Sequence, residues 1–458
     1  MAIQSARITA LNSAAPRTGD YVLYWMQQSQ RASGNPVLEY AVEEANRLGL
    51  PVVCCFGLTD GYPEANARHY AFMLEGLAEV AGKLAERGVL FVIRRGSPDR
   101  VALELAGRAA LLVCDRGYLK PQKAWRAKVA EQAPCRVVQV EGDVVVPVEL
   151  ASAKHEFAAR TFRPKVRLHW DEFLAPLAAR QLKRRGDELR LPSDFDLSDV
   201  PGLVGGLKVD HAVPPVRRFR GGTSAARQRL HAYLGGPFAD YGTRRGLPEA
   251  AAASHMSPYL HFGQISPVEI ALAVRDATVG GPEDKAAYLE ELIVRRELAM
   301  NHAFYDERYD SYDCLPDWAR KTLGAASGDP RPFHYSQEEL ETGATHDRYW
   351  NAAMQEMRVT GYMHNHLRMY WGKKIIEWTP SPQEAFDTVL RLNNRHFIDG
   401  RDANSFTNVG WLFGLHDRPW FARPVFGTVR YMGQATLKKF DAEGYVRRVD
   451  ELSEAERG

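Results

Sequence analysis

Tyr21-Val-Leu-Tyr-Trp-Met26, Pro36 to Gly49 and Pro51-Val-Val-Cys-Cys-Phe56 decide the fold of the first third of the chain. The outer two are short apolar runs. The middle one starts on Pro and ends on Gly, the punctuation of a helix. The alternation continues outward from there. Asn66 to Gly88 reads as a long amphipathic helix with Tyr70, Met73, Leu74, Leu77, Val80, Ala81 and Leu84 on one face. Val89-Leu-Phe-Val-Ile93, Ala110-Leu-Leu-Val-Cys114 and Arg136-Val-Val-Gln-Val140 supply further strands, and Ser97, Pro98 and Asp99 open another helix. Apolar strands alternating with helices predict an α/β domain over residues 1–150, with a parallel sheet covered on both faces. No G-x-G-x-x-G and no G-x-x-x-x-G-K-[ST] follows any strand. A ligand at the carboxyl ends of the strands stays open, because an open parallel sheet can bind one without either motif.

Residues 151–222 change character. Prolines, glycines and charge clusters replace sustained apolar stripes, which predicts a long connection with short helices and, at Arg180 to Arg190, a solvated basic face. From 223 to 458 the pattern is helical, with stripes at 224–234, 266–277, 283–303, 347–358, 362–378 and 381–392.

The 458 residues carry a formal net charge of only +2, so any nucleic-acid surface must be a local basic patch. The five cysteines form no CxxC pair and sit mostly in apolar runs. They read as buried thiols, with no zinc, iron–sulfur or other metal site expected. No apolar run is long enough to cross a bilayer and the N-terminus lacks a signal-peptide pattern, so a cytoplasmic, monomeric protein is expected.

Several stretches in the helical half carry chemistry. Ser254-His-Met-Ser-Pro-Tyr-Leu-His-Phe-Gly263 sets two hydroxyls beside free amides at a helix start, which suits a phosphate; helix capping by Ser254 or Ser257 is the alternative. Glu290 and Glu291 lie mid-helix, and Glu291 with Arg295 has the i,i+4 spacing of an ordinary salt bridge. Arg368 falls on a helix with an apolar face and needs a carboxylate, which Asp399 or Asp402 can supply. Trp371 and Trp378 share one helix face about 10 Å apart, with Trp350 on the preceding helix. Core packing and a redox chain both account for them.

In this order the motifs Asp240-Tyr-Gly-Thr-Arg-Arg245, Ser257-Pro-Tyr-Leu-His-Phe-Gly-Gln-Ile-Ser266, Val294-Arg-Arg-Glu-Leu298, Met363-His-Asn-His-Leu-Arg-Met-Tyr-Trp371 and Ile398-Asp-Gly-Arg-Asp402 resemble the photolyase/cryptochrome superfamily. Arg368-Met-Tyr-Trp-Gly-Lys-Lys-Ile-Ile-Glu-Trp-Thr379 and Leu392-Asn-Asn-Arg-His-Phe-Ile-Asp-Gly-Arg-Asp402 look like class II cyclobutane-pyrimidine-dimer DNA photolyases in particular. The resemblance implies an N-terminal Rossmann-like antenna domain, a linker and an all-helical FAD-binding domain. It implies light-driven electron transfer from reduced FAD to a dimer flipped out of UV-damaged double-stranded DNA. A deazaflavin or folate antenna would sit in the sheet domain.

Carried over by residue, Tyr241, Ser254, His255, Met256 and Ser257 hold the FAD phosphates and ribityl chain. Arg368 lies beside the flavin ring, paired with Asp399, and Asn393 lies near its N5. Asp402 and Asn365 complete the pocket. Trp371, Trp350 and Trp378 carry electrons from the surface, with Trp378 reaching solvent. Glu291, with Glu290 as the neighbouring alternative, bonds the lesion. Met369 and Trp411 line its pocket, and Arg245 meets a nearby phosphate. Arg295 stands where the broader family has Trp. A blue-light signalling cryptochrome, a (6-4) photolyase and a flavin-free single-strand binder are the competing readings.

Overall fold

The structure is a computed structural model that describes residues 3–250 and 252–457. Six strands form one sheet in the order β1-β6-β5-β2-β3-β4, where β1 is Ile8–Ala10, β2 Tyr21–Trp25, β3 Val52–Leu58, β4 Leu90–Arg95, β5 Ala109–Asp115 and β6 Arg136–Val140. All pairings are parallel except β1 with β6, so the short edge strand, which the sequence pattern does not reveal, closes one side antiparallel. β2, β3 and β5 are buried at every position, as continuous Val/Leu/Cys runs require in a sheet covered on both faces.

The helix Pro36–Leu48 (α1) starts as read: Asn35 accepts hydrogen bonds from the Val37 and Leu38 amides, and Gly49 ends it at φ 69°. The helices Ala67–Glu86 (α2), Pro98–Ala106 (α3) and Lys120–Gln132 (α4) complete the two outer layers. All five cysteines are buried and free.

The connection is more ordered than its composition suggests. The helix Ala159–Phe173 buries Phe162, Val166 and Phe173 against the helical half. Beyond it, Leu182, Leu189, Leu191 and Phe195 pack on the sheet domain, and Asp194 donates its amide to the Ile93 carbonyl. Lys183, Arg184 and Arg185 stay exposed, as a solvated face.

Two motifs singled out in the sequence brace the halves together. Gly263 sits at φ +61°, and a Cβ there would lie 1.9 Å from the Gln28 carbonyl oxygen, so this approach of loop to loop requires glycine. The Arg31 guanidinium, fully buried, spans the contact by donating to Asp143 at 2.6 Å and to the Gly263 carbonyl at 2.9 Å. Arg296 donates to the Asp143 carbonyl at 2.7 Å, and Glu297 accepts the Val145 and Val146 amides. Burial pushes the Glu297 carboxyl up to about 8. The Arg296-Glu297 pair is therefore interdomain structure. Among the described residues, no helix is long and apolar enough to cross a membrane.

Candidate functional site

Four helices converge on the candidate site: Arg348–Thr360, Asn365–Trp378, Pro382–His396 and Ala403–Leu412. Gly372 allows the second and fourth to close in, since a Cβ there would lie 2.3 Å from a Leu412 methyl carbon. Lys373 is buried beside it and donates to the Leu412 carbonyl; burial lowers its ammonium to about 7.

Arg368 projects from the Asn365–Trp378 helix. It donates to both Asp399 oxygens, at 3.2 and 3.3 Å, and to the Met363 carbonyl at 2.9 Å. Its guanidinium lies 3.8 Å over the Phe397 ring. Of the two carboxylates the sequence left open, Asp399 is the partner. Asp402 instead caps the Ala403–Leu412 helix with its backbone, and burial raises its carboxyl. Asn393, buried on the preceding helix, donates to Asn394 at 3.0 Å. Gly400 packs on it so tightly that a Cβ would lie 2.8 Å from the Asn393 carbonyl oxygen. Asn365 is exposed in the first turn of its helix.

The Ser254–Ser257 stretch is not a cap. The helix Ser257–His261 has no side-chain cap hydrogen bond; the Ser254 hydroxyl accepts from Tyr288 at 2.9 Å and Ser257 is exposed. Tyr288 packs 5.3 Å from Tyr241, which joins the Asp240-Tyr241 motif to this loop. His255 adopts φ 55° and stands edge-on to Tyr362 at 4.5 Å. Its Nδ1 is buried without a partner, and burial with Arg218 and Arg229 nearby lowers its pKa to about 3. Met256 is buried beneath it.

Trp350 donates its indole N–H to the Trp371 carbonyl at 2.9 Å, and its ring lies 5.4 Å from Trp378. The Trp371 Nε1 is buried without a partner. The expectation that Trp378 reaches solvent is wrong: it is 1% exposed. Tyr335 and His346 cover it, with ring centres 5.2 and 5.4 Å away, and His346 is exposed. No periodic signal marks these two, which come from the loops on either side of the short helix Gln337–Thr342, outside the helical stripes.

The acidic pair also departs from expectation. Residues Glu290–Arg295 form a π-helical segment, not regular α-helix. The wider turn brings residues five apart together. Arg295 consequently approaches Glu290, at 3.7 Å, instead of Glu291. Glu290 is held by Arg163 through contacts of 2.7–3.1 Å. Glu291 is left facing outward and pairs with Arg245 at 2.6 Å, both side chains being more than two-fifths exposed.

Met369 is partly buried against the helical core. Trp411 is half-buried under the Arg430 guanidinium, 5.2 Å away. Arg430 is fixed by Asp417 at 2.8 and 3.0 Å and also covers Trp420 at 4.1 Å. Beside Trp420, Phe421 is 91% exposed in a loop carrying Arg418 and Arg423. This basic loop with an apolar tip went unread in the sequence because it has no periodicity.

A separate cavity lies away from Arg368, at the carboxyl ends of β2 and β3. Gln28, Leu58, Tyr62, His69, Trp125 and Arg401 line it.

Residues 22–182 match the DNA photolyase family model. A deoxyribodipyrimidine photo-lyase of Methanothermobacter thermautotrophicus is 47% identical, covering 98% of both chains. Another, of Potorous tridactylus, is 36% identical over 93% of this chain and 81% of its own. Among solved structures, a class III photolyase of Agrobacterium tumefaciens superposes with a TM-score of 0.74 at 21% identity, covering 95% and 87% of the two chains. An archaeal photolyase of Sulfolobus tokodaii with two FAD molecules gives 0.69 at 16% identity, covering 93% and 89%.

Proposed function

The chain belongs to the DNA photolyase family, and from that premise we propose that it is a class II enzyme repairing cyclobutane pyrimidine dimers in UV-damaged double-stranded DNA with light and FAD. One arrangement carries this reading. The Asn365–Trp378 helix presents a carboxylate-paired arginine, Arg368, and on the same helix the tryptophans that contact Trp350. A fixed charge pair on the helix that carries Trp371 and Trp378, with Trp350 bonded to the first residue and its ring against the second, suits a light-driven redox cofactor.

The residues present fit FAD. His255 Nδ1 and Trp371 Nε1 are buried donors or acceptors without protein partners, and the Ser257 hydroxyl caps nothing. Tyr241, Ser254, His255, Met256 and Ser257 would hold its phosphates and ribityl chain. Arg368, Asp399 and Asn393 would face its ring, with Asp402 and Asn365 at the pocket's margin. When bound, FAD supplies the electron that splits the dimer.

The protein's own residues position and shield. Arg368 and Asp399 hold a fixed field, and Phe397 keeps water from one face of the guanidinium. Trp378, Trp350 and Trp371 would pass an electron inward in that order, with Tyr335 and His346 as its entry from the solvent side.

The lesion must leave the base stack. Phe421 and Trp420 are suited to fill the resulting gap, as apolar wedges do, while Arg418 and Arg423 meet phosphates. Arg245 releases Glu291 when a phosphate takes its place, which frees the carboxylate for the dimer, and Met369 and Trp411 pack on the lesion. The cavity at the ends of β2 and β3 is the proposed seat of a deazaflavin or folate antenna.

Repair assays on the reduced, illuminated protein test the reading, with dimer-containing DNA as substrate and (6-4)-damaged DNA as control. Repair of the dimer alone supports it. Flavin photochemistry without repair of either lesion supports signalling instead.

A further inference from the structure

Two histidines and an aspartate from two distant segments meet beside the Arg296–Tyr305 helix, with a third histidine, His416, next to them. His302 is fully buried on that helix, and its Nδ1 lies 3.1 Å from Nε2 of His155 in the connection. Asp306 follows one turn on. One ligand atom from each of these three lies within 4.8 Å of the others. The His416 ring, from the loop after the Ala403–Leu412 helix, is 5.7 Å from His302 and 6.2 Å from His155.

A shared proton between His155 and His302 explains their contact but not the rest. Nε2 of His416 is buried without a partner. His416 Nδ1 lies 2.9 Å from the Phe157 carbonyl, so it carries the proton and donates it there. That leaves the Nε2 lone pair free. A metal-bound histidine is oriented in this way, with its second nitrogen donating to a carbonyl or carboxylate. Asp306 is half-engaged: the Arg308 amide and Nε both donate to Oδ1, at 2.9 and 3.3 Å, and Oδ2 is left over. Two nitrogens on one zinc at a tetrahedral angle lie roughly 3.3–3.4 Å apart, close to the His155–His302 separation.

We propose that His155, His302, Asp306 and His416 form a site for one divalent transition-metal ion of the zinc type. Three nitrogens and one carboxylate oxygen make a closed set, which marks a structural ion and not a catalytic one. The frame is built without the ion. Asn301 accepts the Glu156 amide at 2.8 Å and donates to the Lys154 carbonyl at 3.0 Å, and Tyr305 donates to the Ser152 carbonyl at 2.8 Å. What the ion adds is His416, and through it a tie between the connection and the loop that continues into Trp420 and Phe421.

Tag-free, full-length protein with its flavin, stripped by a chelator, is titrated with zinc chloride by calorimetry, and metal content is counted by mass spectrometry. One zinc per chain and a raised Tm are expected, together with slower amide exchange at 415–417 and 152–157. His155→Gln and Asp306→Asn each lower zinc affinity by about tenfold or more, at least the loss seen on removing a residue that merely orients a ligand, and leave flavin content and metal-free Tm as in the parent. These two half-buried positions decide the matter even if the buried His302→Gln variant does not fold. No stoichiometric zinc in the parent protein overturns the site. Unchanged uptake in the His155→Gln/Asp306→Asn double variant does so too, because the zinc then sits elsewhere.

Discussion

The Asn365–Trp378 helix and the 417–430 loop use the same residue types, arginine and tryptophan, in opposite surroundings. On the helix, Arg368 lies over Phe397 with Asp399 as its fixed partner, and Trp371 and Trp378 are buried. On the loop, Arg430 lies over Trp420 and is itself held by Asp417, while Arg418, Arg423 and Phe421 beside it are exposed. A buried cation must be neutralised by a protein carboxylate, and its field then acts on whatever binds beside it. An exposed cation keeps its water and remains available to a phosphate. Under the proposed function, burial gives the first cluster to the cofactor and the second to DNA.

The sharpest way to break this division is Trp371→Phe. The ring shape is nearly kept and the oxidisable indole is lost. Photoreduction of bound FAD should be nearly abolished, while flavin content and repair by chemically pre-reduced enzyme persist. If Trp371 is only packing, stability, flavin content and both activities fall together; photoreduction at the parent rate would end the relay assignment. Tyr335→Phe sharpens the same test at the solvent-side entry, where slower photoreduction with unchanged repair is expected.

Arg368→Leu comes next. It strands Asp399 and should cost about 3 kcal/mol, the low end for breaking a buried pair because Arg368 keeps some exposure. Denaturant unfolding and flavin content measure it, and Asp399→Asn should show the same flavin loss. Parent-like values in both variants would mean the pair does not support the cofactor.

On the loop, Phe421→Ala should weaken binding to dimer-containing duplex by roughly 1–3 kcal/mol, the range for losing one aromatic contact to a base. Folding should be unchanged, since the side chain touches solvent. Equal affinity in a binding titration would remove Phe421 from the interface. The smallest effect is expected for Arg245→Gln: the slope of log affinity against log salt should fall by about one. An unchanged slope would leave Arg245 as nothing more than the partner of Glu291.

The sequence by itself determined the α/β start, the helical second half and the Arg368, Trp350, Trp371 and Trp378 positions. These rest on short-range periodicity and on ordered motifs, both of which survive in one dimension. It erred where a local rule was overridden. The i,i+4 rule failed at Glu291 because the helix widens there into a π turn, and that widening has no compositional mark. Trp378 was placed at the surface, but the loop before the Trp350 helix folds back over it through Tyr335, thirteen residues ahead of Arg348.

Only the tertiary structure decided which carboxylate serves Arg368, that Arg296 and Glu297 brace two domains, and that His155, His302, Asp306 and His416 meet. The physical reason is the same in each case. Such contacts join residues far apart along the chain, and their partners are selected by burial, where an unpaired polar group is costly. Spacing in the sequence carries no record of that selection.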